Sequence, residues 1–255
     1  MQLTLTALQK IPLIREGDDL AEITLEALKE NELNLQDGDI LVLAQKIVSK
    51  AEGRLVDLNT ISPSPRAKKL ANKTEKDPRV VELILQESAE ILRHRPGVII
   101  TEHRLGFVCA NAGIDQSNTI ASGSRSDDWA LLLPKDPDAS AQAIKETLET
   151  ATGFKMGILI IDSHGRAWRI GATGTVVGLA GVPGIIDLRG KSDLFGRRLH
   201  STIIGAADEL AAGASLLMGE AAESRPIVHA RGFPYPLRKS SLMEILRPKE
   251  QDLFR

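Results

Sequence analysis

Aromatic side chains are scarce. Phenylalanine, tyrosine and tryptophan together make up 3% of the 255 residues, too few for a single-stranded nucleic-acid platform that lays successive bases on aromatic rings. Cysteine is scarcer still. Cys109 stands alone, which excludes an internal disulfide framework, a cysteine-based zinc cage and a CxxC redox pair. Charge of one sign is also missing: 32 lysines and arginines face 34 aspartates and glutamates, for a net charge of −2. Neither a general nucleic-acid binder nor a protein drawn to anionic membranes has that balance. No apolar run nears the roughly 20 residues of a membrane span, and Met1-Gln2-Leu3 does not open a signal peptide. A cytoplasmic, reducing location is therefore expected. With 42% hydrophobic and 26% charged residues the chain has the composition of a globular protein, expected to form one domain over residues 1–255.

Patterning along the chain mixes strands with helices. Leu3 and Leu5 alternate with polar residues in an expected first strand. A helix follows, capped by Asp18 or Asp19, with Leu20, Ile23, Ala27 and Leu28 on one face. Asp37-Gly38-Asp39 reads as a turn into an apolar strand at 40–44, and the polar stretch 45–53 leads to a short strand at 55–58. Ser62-Pro63-Ser64-Pro65 is expected to act as a linker. Asp77-Pro78 predicts a helix start, because proline at the first helical position lacks only an N–H that has no helical partner there. That helix is expected to run to about Arg93, with strands at 98–101 and 105–110 and a loop at 111–119. Asp138 is expected to cap a helix reaching Thr152. Residues 156–161 are fully apolar, as for a strand covered on both faces; the strand is expected to stop at Asp162, before a glycine-rich stretch to Gly196. A helix near 199–217, a strand near 226–230 and a charged helical tail from Leu242 complete the pattern. The order lacks clean βαβ alternation, so the expected class is α/β in the mixed, α+β sense.

Common nucleotide motifs fail on spacing. Gly184 to Ser192 resembles a phosphate-binding P-loop but has five residues between its glycines where four are required. Gly171, Gly174, Gly178 and Gly181 do not fit GxGxxG. His94, His103, His164, His200 and His229 form no HxH or HxxxH pair and are expected to be exposed or singly hydrogen-bonded. Cys109 reads as a buried small hydrophobe.

Three features survive. Asp162-Ser163-His164-Gly165-Arg166 follows the most apolar strand, where α/β proteins place ligand chemistry, although a cap or a salt bridge to Arg166 or Arg169 explains it equally well. In Asn111 to Asn118, Asp115 and Asn118 offer hard oxygen ligands or polar contacts for a nucleotide, or simply an Asx-turn. Between Gly165 and Leu199, Arg166, Arg169, Arg189, Lys191, Arg197 and Arg198 face only Asp187 and Asp193. Arginines on glycine-rich backbone suit phosphates and carboxylates. Together these features suggest a metal–nucleotide enzyme without a P-loop, its phosphates bridged by Mg²⁺ or Mn²⁺.

At these residues the sequence resembles the coenzyme F-420-0:L-glutamate ligase family, the gamma-glutamyl ligases of deazaflavin coenzyme synthesis. The likeness is carried by Ile11-Pro12-Leu13-Ile14, Gly17 to Leu20, Asp37 to Ile40, Gln45 to Arg54, Thr101-Glu102-His103-Arg104-Leu105-Gly106, Ala110 to Asn118, Asp162 to Arg169, Gly178 to Gly181, Arg189 to Arg197 and Asp208 to Gly219, in family order. The resemblance implies a GTP-dependent ligase that phosphorylates a carboxylate of the deazaflavin precursor and joins it to the amino group of L-glutamate. It implies two divalent cations (Mg²⁺ or Mn²⁺) and potassium, with Asp115 and Asp162 holding one metal and Ser163 and Glu220 reaching the second. Asp115, Asp162 and Arg166 become the catalytic candidates. Ile11, Pro12, Leu13, Ile14, Gln45, Lys50, Asn118 and the turn Met218, Gly219, Glu220, Ala221, Ala222, Glu223, Ser224 and Arg225 would line the GTP site. Arg166, Arg169 and Lys191 are candidates for the substrate's anionic groups.

Lys10 stands where the family often has glycine, and Ala172-Thr173-Gly174 replaces residues that are more polar in some members. The resemblance further implies two interlocked α/β subdomains per chain in an intertwined homodimer. A C-terminal reductase domain found in some members is not expected, so reduction of a dehydro precursor would fall to another protein. Two other readings of the same acidic residues are a metal-dependent nucleotide phosphohydrolase and a non-catalytic nucleotide-binding module. The number of glutamates added, the precursor's oxidation state and the metal used in the cell have no signature in the residues.

Overall fold

The computed structural model describes residues 1–117 and 128–254. In chain order its strands and helices are β1 (Thr4–Ala7), α1 (Leu20–Glu30), β2 (Ile40–Ala44), α2 (Gln45–Ala51), β3 (Leu55–Asp57), α3 (Pro65–Thr74), α4 (Pro78–Glu87), β4 (Ser88–Arg95), β5 (Val98–His103), β6 (Val108–Ala110), β7 (Trp129–Leu131), α5 (Pro137–Thr152), β8 (Gly157–Gly165), β9 (Ala172–Ala180), β10 (Ile186–Asp187), β11 (Ile203–Ile204), α6 (Ala206–Met218) and β12 (Ile227–Arg231). The apolar runs at 40–44 and 156–161 are explained by their place. β2 and β8 pair in parallel near the middle of a five-stranded sheet of order β1-β12-β2-β8-β9, whose other pairings are antiparallel. Both faces are covered. Leu41, Leu43, Ile158 and Ile160 pack with α1, α2 and α5, while Ile40, Val42, Leu159 and Ile161 pack with α6. Gly174 and Gly178 serve this layering: a Cβ at Gly174 would lie 2.5 Å from the Ala211 carbonyl oxygen, and one at Gly178 2.4 Å from Pro137 Cβ. These glycines are close-packing positions of β9.

A second cluster lies beside the sheet. Antiparallel β4-β5-β6 and β3-β7 join α3 and α4 around Leu58, Val81, Ile84, Ile99 and Leu132. The fold is thus mixed α/β, with neither the all-parallel order of a dinucleotide fold nor a phosphate loop at 184–192, where the chain forms β10.

Several expected boundaries move for local reasons. The helix at Asp77-Pro78 ends at Glu87. It buries Val80, Val81, Leu83 and Ile84, and the chain then turns extended so that β4 can pair with β5. Ser62-Pro63-Ser64-Pro65 is no linker, since the Ser64 hydroxyl accepts from Ala67 N at 3.2 Å and Pro65 opens α3. Residues 45–53, given no element from the sequence, form α2, which buries Ile47, Val48 and Ser49. Asp136, not Asp138, caps α5, while Asp138 accepts the backbone N–H groups of Leu179 and Leu242 at 2.8 Å each. β8 does not stop at Asp162 but runs to Gly165, paired with β9 inside the stretch read as glycine-rich loop. Asp19 is the cap of α1, α6 begins at Ala206, and the tail from Leu242 holds only short turns at Leu242–Glu244 and Lys249–Gln251.

Candidate functional site

The pairing of β2 with β8 ends at Ala44 and Ile161, and there the two chains diverge. Gln45 enters α2, whereas Asp162 continues along β9. Lys46 and Lys50 lie four residues apart on α2 and so share a face. Opposite them is Asp115, whose backbone is pinned to Leu131 by N–H···O bonds of 3.0 and 2.8 Å. Its Oδ2 lies 2.6 Å from Lys46 Nζ, and its Oδ1 accepts the Ser117 N–H at 2.7 Å. Lys46 also donates to Ser117 Oγ at 2.9 Å. Burial would push the Asp115 carboxyl up, but Lys46 and Ser117 outweigh it and hold the group below its ordinary value. Lys50 is lowered by burial and then by the charge of Lys46, with Asp115 opposing in part.

Alternation along β8 separates the next two residues, because successive side chains of a strand point to opposite faces. Asp162 and His164 share one face, with Asp162 Oδ2 3.0 Å from His164 Nε2. Ser163 takes the other and donates to Glu220 Oε1, beyond α6, at 2.6 Å. Cys109 of β6 senses Asp162: burial first, and that carboxylate's charge second, push the thiol up to about 12. It is thus inert as a nucleophile at neutral pH. Asp208 in the first turn of α6 accepts the Val176 N–H at 2.9 Å, and burial raises its carboxyl against the opposing charge of His164.

The other expected positions surround this end of the sheet. Ile14 is buried in the same cluster as Ile47 and Val48 of α2, with Ile11 packed against it; Pro12 and Leu13 are exposed, Leu13 by 88%. Gln45 is buried and its Oε1 accepts from Ser49 Oγ at 2.9 Å, while its Nε2 has no acceptor among the described residues. The turn after Met218 runs through exposed Ala221, Ala222, Glu223 and Ser224 to Arg225, whose Nε is likewise buried without an acceptor there. A bond from Ala44 N to Pro226 O at 2.8 Å holds that turn beside the start of α2. The two adjoining segments thus each carry an orphaned buried donor, chemistry suited to an acceptor-rich ligand. Asn118 lies outside the described residues. Lys10 has φ +61°, the left-handed region that glycine enters at least cost, and its ammonium pairs with Glu30 at 2.9 Å.

The basic stretch is less uniformly available than its composition suggests. Arg189 is bound by Asp187 at 2.6 Å, and Arg166 reaches across the β8–β9 hairpin to the Gly171 carbonyl at 3.0 Å. Arg169 and Lys191 are exposed. Trp168 and Ile170 at the hairpin tip, and Leu194 and Phe195 on the β10–β11 arm, are each at least 89% exposed.

Oxygen side chains at Asp115, Asp162, Ser163 and Glu220 are the donor type that magnesium and manganese take. Among the described residues no three His, Cys, Asp or Glu side chains form a finished cage. Mg²⁺ typically takes one or two carboxylates and completes its shell with water and phosphate oxygens. The residues fit such an ion. Sequence reasoning missed Lys46, although its spacing from Lys50 was visible, and passed over His164 as bland. It included Asp208 in a matching stretch but gave it no role, because that residue reaches His164 only through the packing of α6.

Residues 9–232 match the family described as F420-0:Gamma-glutamyl ligase. The chain is 48% identical to a Methanothermobacter thermautotrophicus protein named coenzyme F420:L-glutamate ligase, over the whole of both chains. It is 43% identical to a Methanopyrus kandleri protein of the same name, over 97% of each chain. A third protein so named, from Archaeoglobus fulgidus, is 39% identical over all of this chain and 97% of its own. No helix among the described residues is long and apolar enough to cross a membrane.

Proposed function

From a chain that belongs to the F420-0:gamma-glutamyl ligase family, we propose a cytoplasmic ligase that joins L-glutamate to the deazaflavin coenzyme precursor, driven by GTP. The observation that supports it is the set of paired groups carried by the start of α2 and the end of β8: Lys46 with Asp115, Asp162 with His164 on one face of β8, and Ser163 with Glu220 on the other. Anion-neutralising cations and hard oxygen donors there suit a triphosphate.

The reaction has two steps. A carboxylate oxygen of the precursor attacks the γ-phosphorus of GTP, the bond to the GDP oxygen breaks, and an acyl phosphate forms. The glutamate amine then attacks the acyl carbon, an amide C–N bond forms, phosphate leaves with the C–O bonding pair, and the amine's proton passes to solvent. Lys46 and Lys50 offset phosphate charge. Gln45 Nε2 and Arg225 Nε offer buried donors to the nucleotide, with Ile11, Pro12, Leu13 and Ile14 along one wall. Asp115 and Asp162 would hold one divalent cation, and Ser163 with Glu220 the second, with potassium nearby. When bound, these ions supply charge neutralisation during phosphoryl transfer. Arg166, Arg169 and Lys191 would hold the anionic groups of precursor and glutamate. The exposed Trp168, Ile170, Leu194 and Phe195 support a homodimer, since apolar patches of this kind mark association surfaces.

Mass spectrometry of a reaction containing precursor, glutamate, GTP and Mn²⁺ tests the assignment. The expected products are heavier than the precursor by whole glutamyl units; an unchanged precursor under these conditions would count against a ligase.

A further inference from the structure

Five consecutive residues, His103-Arg104-Leu105-Gly106-Phe107, form a tight turn between β5 and β6. The His103 N–H donates to Phe107 O at 2.8 Å, and the Gly106 N–H to His103 O at 2.8 Å. Gly106 has φ +97°, a conformation that favours glycine, and a Cβ there would sit 2.9 Å from Leu246 Cδ1, the movable end of that side chain. The turn brings two rings together. His103, fully buried, stacks on Phe107 with centroids 5.1 Å apart and planes within 4°. His103 is itself held at Nδ1, while its Nε2 is buried without a hydrogen-bond partner among the described residues. Leu105 N–H donates to its Nδ1 at 3.1 Å, which assigns the ring proton to Nε2, and Nε2 faces Glu87 Oε2 at 3.6 Å. Glu87 is held in turn by Arg54 at 3.1 Å and Arg104 at 2.8 Å.

The other edge of this stack meets the candidate site. Phe107 lies 5.5 Å from the ring of His164 at an angle of 42°, a tilted aromatic contact, and His164 holds Asp162 at 3.0 Å. Asp162 has no other side-chain partner among the described residues. The position of that carboxylate therefore depends on a ring whose seat is built by β5 and β6.

We propose that Phe107, backed by His103, is a positioning residue: it fixes the ring of His164 and so aims the Asp162 carboxylate at the ligand it serves. The proposal rests on the reading of Asp162 as a site carboxylate. It gives the His-Arg-Leu-Gly-Phe turn a task that neither its burial nor its hydrogen bonds alone would require. Residues that orient a ligating group typically change metal affinity or activity by about 10- to 100-fold when removed.

The experiment compares wild type, Phe107→Leu, Phe107→Tyr and His103→Gln by thermal unfolding, by Mn²⁺ binding followed through the electron paramagnetic resonance signal of the free ion in the presence of GTP, and by steady-state ligation. Phe107→Leu keeps an apolar side chain, smaller than the ring, but loses the flat face. The expected result is about a tenfold loss in Mn²⁺ affinity and in kcat, with KM for glutamate unchanged within about twofold. Phe107→Tyr, which keeps the ring, should restore both, and His103→Gln should show a smaller loss of the same kind. If Phe107→Leu binds Mn²⁺ and turns over like wild type, the positioning role is wrong while the ligase reading stands. If loss of activity follows unfolding alone and Mn²⁺ affinity per folded molecule is unchanged, the turn is merely structural and the proposal fails. If wild type binds no Mn²⁺, the reading of Asp162 falls and takes this proposal with it.

Discussion

Asp39 and Asp162 are both carboxylates at ends of the central sheet, yet they are treated in opposite ways. Asp39, with its side chain 2% exposed, accepts three hydrogen bonds among the described residues, from Arg231 Nε at 2.9 Å on Oδ1 and from Arg231 Nη2 at 2.7 Å and the Gln36 N–H at 2.8 Å on Oδ2, and His229 Nε2 lies 2.9 Å from Oδ2 without hydrogen-bond geometry. Burial would raise its carboxyl, but Arg231 and His229 hold it below the ordinary value. Asp162 is 15% exposed and has a single side-chain partner among the described residues, His164. An ionised carboxylate can accept about four hydrogen bonds, so the first group is close to saturated by its own chain and the second is not. Saturation marks a residue that fixes strand register; unfilled acceptor capacity in a half-buried group marks one that waits for a ligand.

That contrast can be broken most decisively by paired substitutions. Asp162→Asn should cost on the order of 100-fold or more in kcat, with the unfolding midpoint unchanged. Asp39→Asn should do the reverse. Breaking a buried ion pair costs about 3–5 kcal/mol, a fall in Tm of roughly 6–20 °C for a chain of this size, with turnover per folded molecule retained at low temperature. Calorimetric scans beside initial rates check both, and an inactive but fully stable Asp39→Asn would dissolve the distinction.

A third carboxylate sharpens it. For Glu87 burial opposes ionisation, but His103, Arg104 and Arg54 bring the group from 4.5 down to about 2. Its folded value is depressed, so its contribution is complete above about pH 4.5 and is lost as pH falls toward 2. That contribution is about 3 kcal/mol at most. Glu87→Gln should lower stability at neutral pH, and its difference from wild type should shrink steadily between pH 4.5 and 2. Denaturant unfolding at a series of pH values measures this directly.

How much of this was visible in the residues depended on distance along the chain. The apolar runs at 40–44 and 156–161 announced central strands because burial on both faces leaves no room for alternation. A cap at Asp18 or Asp19 and the proline-led helix at Asp77-Pro78 rest on contacts within four residues and were equally plain, with the structure choosing Asp19. The end of that helix was not, since β4 exists only because β5 is there to pair with it. β9 was hidden for a similar reason: Gly174 and Gly178 look like loop residues until α6 and α5 are seen resting on them. In the site, Asp115 and the Asp162-Ser163 pair stood out from the residues themselves, their metal roles and Glu220 came through family resemblance, and the structure brings Ser163 to Glu220 and Lys46 to Asp115. The role of strand alternation in sending Asp162 and Ser163 to opposite faces was hidden by the mistaken end of β8 at Asp162.

The central claim is that phosphoryl transfer at the end of β8 is coupled to amide formation. It is tested most directly by measuring phosphate release from GTP with precursor present, with and without glutamate, alongside the amount of glutamylated product. The account predicts about one phosphate for every glutamyl unit added and little release when glutamate is left out. Phosphate released at the full rate without glutamate, with no glutamylated product when it is supplied, would contradict it and identify a nucleotide phosphohydrolase instead.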